Sequence, residues 1–334
     1  MTINKTSKEN ANLISKDSGA GNFLKYFLLA FLIFTVAFTG LLYAFDKIGA
    51  VQIFQSEENL MAELPVLVDK QSPFFDAFTN SKRINVLLVG ANHGMTDTMM
   101  LVSYDMKADH VDLISVPRDT YYPRPGWKDP AAAKINAIYN ADGIVGTATA
   151  VSETLLGMPI HYYAMVDYDG IKNIVNSMGG VPMNIPFHMK YKDPYDKPPL
   201  IIDIPAGQQT LDGDTAVKFL RYRHGYPEGD IGRVRAQQEF MKSAFKQMMS
   251  MDLPTIMKTI IDNVKSDINV GMVTKILAKA TGLNGDSITT YMLPGRPQTS
   301  NGASYWFANT EETATMLTQI YSIQPAATDV TTTE

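Results

Sequence analysis

Residues 84–90 read INVLLVG, residues 98–104 read TMMLVSY and residues 110–116 read HVDLISV. Each is a short apolar run bounded by Gly, Asp or Pro, the pattern of a strand covered on both faces. Working outward, apolar residues recur three or four positions apart over 134–140, 145–156, 168–178 and 234–249, which predicts helices there. Residues 162–166 and 181–185, lying between those helices, read as further strands. The alternation predicts an α/β fold, a central and mostly mixed β-sheet covered by helices, in a single domain from about residue 81 to 324.

A chain of 334 residues that is 45% apolar can bury a core of that size. Cysteine is absent, which excludes disulfide frameworks and thiolate metal sites. Residues 26–45 carry no charge over twenty positions, and at 1.5 Å per residue they cover about 30 Å, the hydrocarbon core of a bilayer. This predicts one transmembrane helix. A cleaved signal peptide would have a shorter apolar region and a small-residue cleavage site, which Tyr43-Ala44-Phe45-Asp46 does not offer.

Lys5, Lys8, Lys16 and Lys25 outweigh Glu9 and Asp17 before the apolar stretch, leaving +2 there and therefore −7 of the total −5 in the rest of the chain. Asp46, Glu57, Glu58 and Glu63 lie beyond it. Positive residues stay inside, so the expectation is a cytoplasmic tail over 1–25, a spacer over 46–80 with a short helix near Glu57–Ala62, and the bulk of the chain outside a Gram-positive-like cell membrane. The Thr-rich end, 325–334, reads as a disordered tail. The acidic balance and the lack of a basic face argue against a nucleic-acid partner.

Only eight of the 29 basic residues are arginine, yet Arg221, Arg223, Arg233 and Arg235 fall within fifteen positions. Guanidinium presents a planar fork of donors that matches phosphate, so this spacing suits a diphosphate. The alternative is a solvated set paired with Glu228, Asp230 and Glu239. Gly229 and Gly232 loosen the backbone before a helix expected to start near Ile231 with Asp230 as its cap, and that helix would put Arg233 and Gln237 on one face. Arg118-Asp119 follows a strand, at the edge where open α/β sheets bind ligands, though the pair could equally be a self-paired turn. Asp97 could ligate Mg²⁺ or cap a turn. The five histidines show no paired metal spacing, and no Walker A, G-x-S-x-G or G-x-G-x-x-G loop is present.

Nine segments in order, behind one N-terminal apolar span, resemble the LytR-CpsA-Psr family. They are NVLLVG at 85–90, DTMM at 97–100, SVPRDT at 115–120, KINA at 134–137, DYDG at 167–170, MGGV at 178–181, GQQTLDG at 207–213, RYR at 221–223 and GDIGRVRAQQ at 229–238. The resemblance implies a membrane enzyme that binds a polyprenyl pyrophosphate-linked glycan and moves its phosphoglycan to a peptidoglycan hydroxyl. It implies that Arg118, Lys134, Arg221, Arg223, Arg233 and Gln237 meet the pyrophosphate. It also implies substrate-assisted Mg²⁺, or Mn²⁺ in its place, at Asp97 and Asn92. The family's usual Asp and Arg are replaced here by Asn92 and Met95, so two charges are missing. Asp119 or Asp230, beside Arg118, would accept the proton of the incoming hydroxyl. The rival expectations are a membrane-tethered sensor that binds the lipid-linked glycan without turning it over, and a pyrophosphatase that uses water in place of the sugar.

The lysine asymmetry around residues 26–45 makes a direct forecast. The chain fractionates with membranes, and protease added to intact protoplasts digests the part after Phe45. Recovery of the whole chain in the soluble cytoplasmic fraction would refute that topology.

Overall fold

The computed structural model describes residues 61–323, apart from 62, 63, 65, 93, 94, 127, 128, 197, 252, 269–271, 273–275 and 277–286. The apolar span 26–45, the tails and most of the spacer, with nearly all of its expected helix, lie outside the described residues. Among the described residues no helix is long and apolar enough to cross a membrane.

The elements run α1 (Phe75–Asn80), β1 (Arg83–Asn92), β2 (Met95–Asp105), β3 (His110–Val116), α2 (Ile138–Thr154), β4 (Tyr162–Val166), α3 (Tyr168–Ser177), β5 (Val181–Ile185), β6 (Met189–Asp193) and β7 (Leu200–Ile204). There follow β8 (Gly207–Leu211), α4 (Gly213–Arg221), α5 (Asp230–Met249), α6 (Leu253–Asn263), β9 (Lys265–Ser266), β10 (Ile288–Met292), β11 (Gly295–Ser300), β12 (Ala303–Ala308) and α7 (Thr310–Ile320). The strands expected at 110–116, 162–166 and 181–185 have those bounds, and the other two apolar runs sit inside β1 and β2. Of the helix expected over 134–140, Ile135–Ala137 form a 3₁₀ turn, preceded by another at Pro130–Ala133, and Ile138–Asn140 open α2. Asp129 caps the Pro130–Ala133 turn, accepting from Ala131 N, and Pro130 at its first position suits a short tight turn.

Six strands form one mixed sheet in the order β10-β3-β2-β1-β4-β9. β2 is antiparallel to both neighbours, while β10 is parallel to β3 and β4 is parallel to β1. The carboxyl ends of β1, β3, β4 and β10 therefore emerge at one edge. Alternation along the strands divides the core. Leu87, Val89, Met99, Leu101 and Ile114 pack with α2 and α7 on one face, and Met100, Tyr104, Leu113 and Ile288 meet Met241 and Phe245 of α5 on the other. A second core holds the antiparallel pair β5/β8 and the β6/β7 hairpin against α3, α4 and α5.

The amino-terminal edge of β1 is fixed by charge as well as packing. Arg83 Nη1 donates to Asp112 Oδ2 at 2.7 Å and Nη2 donates to the Ile320 carbonyl at 2.6 Å, with both charged side chains under 10% exposed. Breaking a buried pair by removing one partner leaves the other charge uncompensated. Asp112→Ala is expected to cost about 3 kcal/mol, read as a fall in the urea midpoint at unchanged m. A shift of under about 0.5 kcal/mol would mean that Asp105, at 3.5 Å from Arg83, compensates fully.

Candidate active site

At the carboxyl edge of the sheet, local backbone devices aim the charged side chains. In the β1/β2 hairpin Thr98 faces Gly90 and Thr96 faces Ala91, so Asp97 is the extra residue of a β-bulge. A bulge releases its residue from the ladder and redirects the side chain, here toward the end of the sheet. After β3, Thr120 closes a turn with both its N–H and its hydroxyl on the Pro117 carbonyl. Trp306 N donates to the Asp119 carbonyl, and Asn136 N to that of Arg118, which clamps the Arg118-Asp119 step from two sides.

After β4, Asp167 caps α3 by accepting from Gly170 N at 2.8 Å, which fixes Tyr168 as the first helical residue. Only glycine fits at 170: a Cβ there would lie 2.7 Å from Val166 Cγ2 and 2.8 Å from the Asn263 carbonyl oxygen. Arg221 ends α4, and Arg233 sits in the first turns of α5. Asp230 is not the cap of α5 but its first residue. The cap is Gly229, whose φ of 60° favours glycine and which offers no side chain to the first N–H groups. Asp230 is thereby free to accept from Arg233 Nη2 at 2.9 Å.

These devices bring most of the sequence-derived site residues together. Arg118 Nη1 donates to Asp97 Oδ1 at 2.7 Å, and Lys134 Nζ donates to Asp119 Oδ1 at 2.9 Å. Tyr168 donates its hydroxyl to Asp97 Oδ2 at 2.7 Å, and the Arg221 guanidinium lies 5.0 Å from the centre of the Tyr168 ring. Arg221 Nη2 also donates to Asp196 Oδ2, in the β6–β7 loop, at 2.7 Å. Burial opposes the charge of Arg118, but Asp230, Asp119 and Asp97 outweigh it and raise its pKa. Arg233 goes the other way: burial first, then the Arg118 guanidinium, lowers its pKa against the pull of the same aspartates. Burial and then Asp97 raise the pKa of the Tyr168 phenol, which stays protonated as a donor.

Two buried donors in this cluster, Arg118 Nε and Arg233 Nε, have no partner among the described residues. Buried polar groups are nearly always satisfied, so a pair of unsatisfied guanidinium nitrogens within one another's field marks a place for an anion. The uncapped start of α5 adds positive potential at the same point.

The remaining expectations fall differently. Arg223 is exposed, with no ion pair among the described residues, and Arg235 pairs with Glu228 on the surface. Gln237 is buried, and its Nε2 donates to the Leu220 carbonyl at 3.3 Å, tying α5 to the last turn that carries Arg221. Asn92 ends β1 opposite Met95, whose side chain is exposed. Sequence reasoning missed Tyr168 and Asp196. The motif around Tyr168 was visible, but its contact with a residue 71 positions away was not.

No three His, Asp or Glu side chains among the described residues group so as to hold a metal ion. Asp97 is the one metal-ligand candidate placed in the cluster, and both its oxygens have protein partners. That donor set fits an ion arriving with phosphate oxygens of its own, not one caged by the protein. An apolar cavity of about 430 Å³, lined by Leu64, Val68, Phe78, Ile160 and Tyr162 among others, lies by the opposite edge, away from these charges.

The LytR_cpsA_psr family model matches residues 55–322. A protein of Oceanobacillus iheyensis named polyisoprenyl-teichoic acid–peptidoglycan teichoic acid transferase TagU is 29% identical over 258 residues, covering 73% of this chain and 77% of its own length. The crystal structure of Bacillus subtilis TagV superposes with a TM-score of 0.61 at 25% identity, over 73% of this chain and 99% of that one. A structure of TagT bound to LIIa-WTA shares the fold, with a TM-score of 0.58 at 21% identity over 76% of this chain and 93% of that one.

Asp196 competes with any anion for Arg221. Asp196→Ala is therefore expected to tighten binding of inorganic pyrophosphate by about tenfold in calorimetry, the size of one charge-assisted contact. Unchanged affinity would mean that Arg221 is not among the groups the anion meets.

Proposed function

Since the chain belongs to the LytR_cpsA_psr family, we propose that it transfers a phosphoglycan from a polyprenyl pyrophosphate carrier to a peptidoglycan hydroxyl, as a membrane-bound glycopolymer transferase. The observation that carries this reading is the pair Arg118, half-buried, and Arg233, buried, whose buried Nε donors have no partner among the described residues at the carboxyl edge of the sheet. The transferase name of the O. iheyensis relative, with teichoic acid as its polymer, supports the reaction class.

Phosphoryl transfer needs positioning and neutralisation of charge more than it needs a covalent protein nucleophile. The acceptor oxygen forms a bond to the glycan-bearing phosphorus, the bridging bond to the carrier breaks, and polyprenyl phosphate leaves with that bridging oxygen. Arg118, Arg221 and Arg233 meet the nonbridging oxygens, and Lys134 holds Asp119. Arg223 reaches the diphosphate from the exposed rim. Gln237 acts through the α4 turn it holds, which keeps Arg221 in place. The proton of the acceptor hydroxyl goes to a carboxylate. Asp119 and Asp230 are the candidates, each with one oxygen engaged by a neighbouring cation and the other without a partner among the described residues.

Asp97 would be the protein's carboxylate ligand to Mg²⁺, or to Mn²⁺ in its place, with Asn92 nearby in the β1/β2 hairpin, and the ion would supply further charge neutralisation beside the diphosphate. We place the chain in the cell membrane through residues 26–45 with the catalytic domain outside, where peptidoglycan lies; the uncharged span and the lysine asymmetry support this.

Arg221→Ala is expected to lower transfer by about 10²-fold or more, and Arg223→Ala by less, with little change in melting temperature. Single-turnover product analysis with a lipid-linked glycan and a peptidoglycan acceptor distinguishes the readings. A phosphodiester-linked product supports transfer. Release of polyprenyl phosphate without acceptor attachment indicates hydrolysis, and no turnover indicates a sensor.

A further inference from the structure

Resting on that reading, we propose that Tyr168 is a positioning residue that keeps Arg118 available to the diphosphate: its hydroxyl takes one oxygen of Asp97 while its ring supports Arg221. Asp97 sits in a bulge next to a guanidinium, and an arginine and a carboxylate left to themselves favour the bidentate, fork-on-fork arrangement. Here the pair is monodentate. Arg118 Nη1 meets Oδ1, whereas Oδ2 is held at 2.7 Å by the Tyr168 hydroxyl, and Arg118 Nε is left buried and unpartnered. The phenol thus prevents Asp97 from closing both arms on Arg118 and silencing the donor that the substrate uses.

The ring has a second task. Arg221 lies over it at 5.0 Å while also pairing with Asp196, so its guanidinium is fixed on two sides and can exchange the carboxylate for phosphate without losing its aromatic support. A tyrosine with only a packing role would turn its hydroxyl to a backbone carbonyl or to solvent. This one is placed at the first turn of a capped helix, against a glycine that permits close approach to β4, and its hydroxyl is committed to the Asp97 carboxylate.

The test is a double-mutant cycle on the full chain, with binding of farnesyl pyrophosphate measured by calorimetry. Tyr168→Phe is expected to weaken binding about tenfold at an unchanged melting temperature, the loss tied to one charge-assisted hydrogen bond. In an Asp97→Ala background the same change is expected to have no further effect, because the carboxylate it restrains is gone. Tyr168→Leu, which also removes the ring under Arg221, is expected to weaken binding by about a further threefold in both backgrounds. If Tyr168→Leu fails to fold, the Phe arm alone decides the role of the hydroxyl. The proposal is overturned if Tyr168→Phe binds as the wild type does, or if its loss persists undiminished in the Asp97→Ala background. Arg118→Ala and Arg221→Ala separate the two levels. If both bind farnesyl pyrophosphate normally, the site assignment itself fails; if both lose binding while Tyr168→Phe is normal, only the role of Tyr168 falls.

Discussion

The structure is organised around the confinement of two guanidinium groups, Arg118 and Arg233, within each other's field at the carboxyl edge of the sheet. Burial and the neighbouring Arg118 charge disfavour the cationic form of Arg233, and Asp97, Asp119 and Asp230 offset the cost. Each of these carboxylates meets a protein cation through a single oxygen, Asp119 on Lys134 and Asp97 and Asp230 on the arginines, which are held in place without using up all their donors. The arrangement is stable enough to persist and unsatisfied enough to favour an anion. On the proposed function, a diphosphate bound there would relieve the repulsion between the arginines and fill the unpartnered Nε positions, and both effects would grow as charge spreads over the nonbridging oxygens in the transition state.

The architecture explains why the strain is tolerated. Arg118 stands on a turn clamped by Trp306 and Asn136, directly after a strand whose Ile114 and Val116 lie in the main core. Arg233 is carried by a twenty-residue helix that Gln238 anchors to the sheet through Ser115 and the Tyr291 carbonyl. Arg221 ends a short amphipathic helix that Gln237 ties to the same long helix. The charged groups thus sit on rigid elements from three parts of the chain, whose separate cores supply the packing energy that the site itself does not.

Much of this was legible in the amino-acid order, for reasons that can be named. The strands stood out because a strand covered on both faces is mostly apolar, and INVLLVG is so at every position but Asn85, with Val111, Leu113, Ile114 and Val116 supplying the apolar part of HVDLISV. Arg221 and Arg233 stood out by the density of arginines in an arginine-poor chain, and Gln237 by its place one helical turn from Arg233. What sequence could not give were contacts set by backbone irregularity. The bulge that redirects Asp97 depends on register, and register is a property of two strands together. The positive φ of Gly229 displaced Asp230 from its expected cap into a pairing with Arg233. Tyr168 and Asp196 escaped notice because each acts on a residue far along the chain, Tyr168 through a bulged strand and Asp196 through a hairpin loop. The first half of the helix expected at 134–140 is a 3₁₀ turn, which apolar spacing alone does not separate from an α-helix.

A crystal structure of the domain from residue 81 onward with a prenyl pyrophosphate bound tests the central claim most directly. The expected result is diphosphate oxygens within hydrogen-bond distance of Arg118 Nε and Arg233 Nε, with the Arg221–Asp196 pair opened. Diphosphate bound elsewhere on the domain, with both Nε atoms still unpartnered, would contradict it.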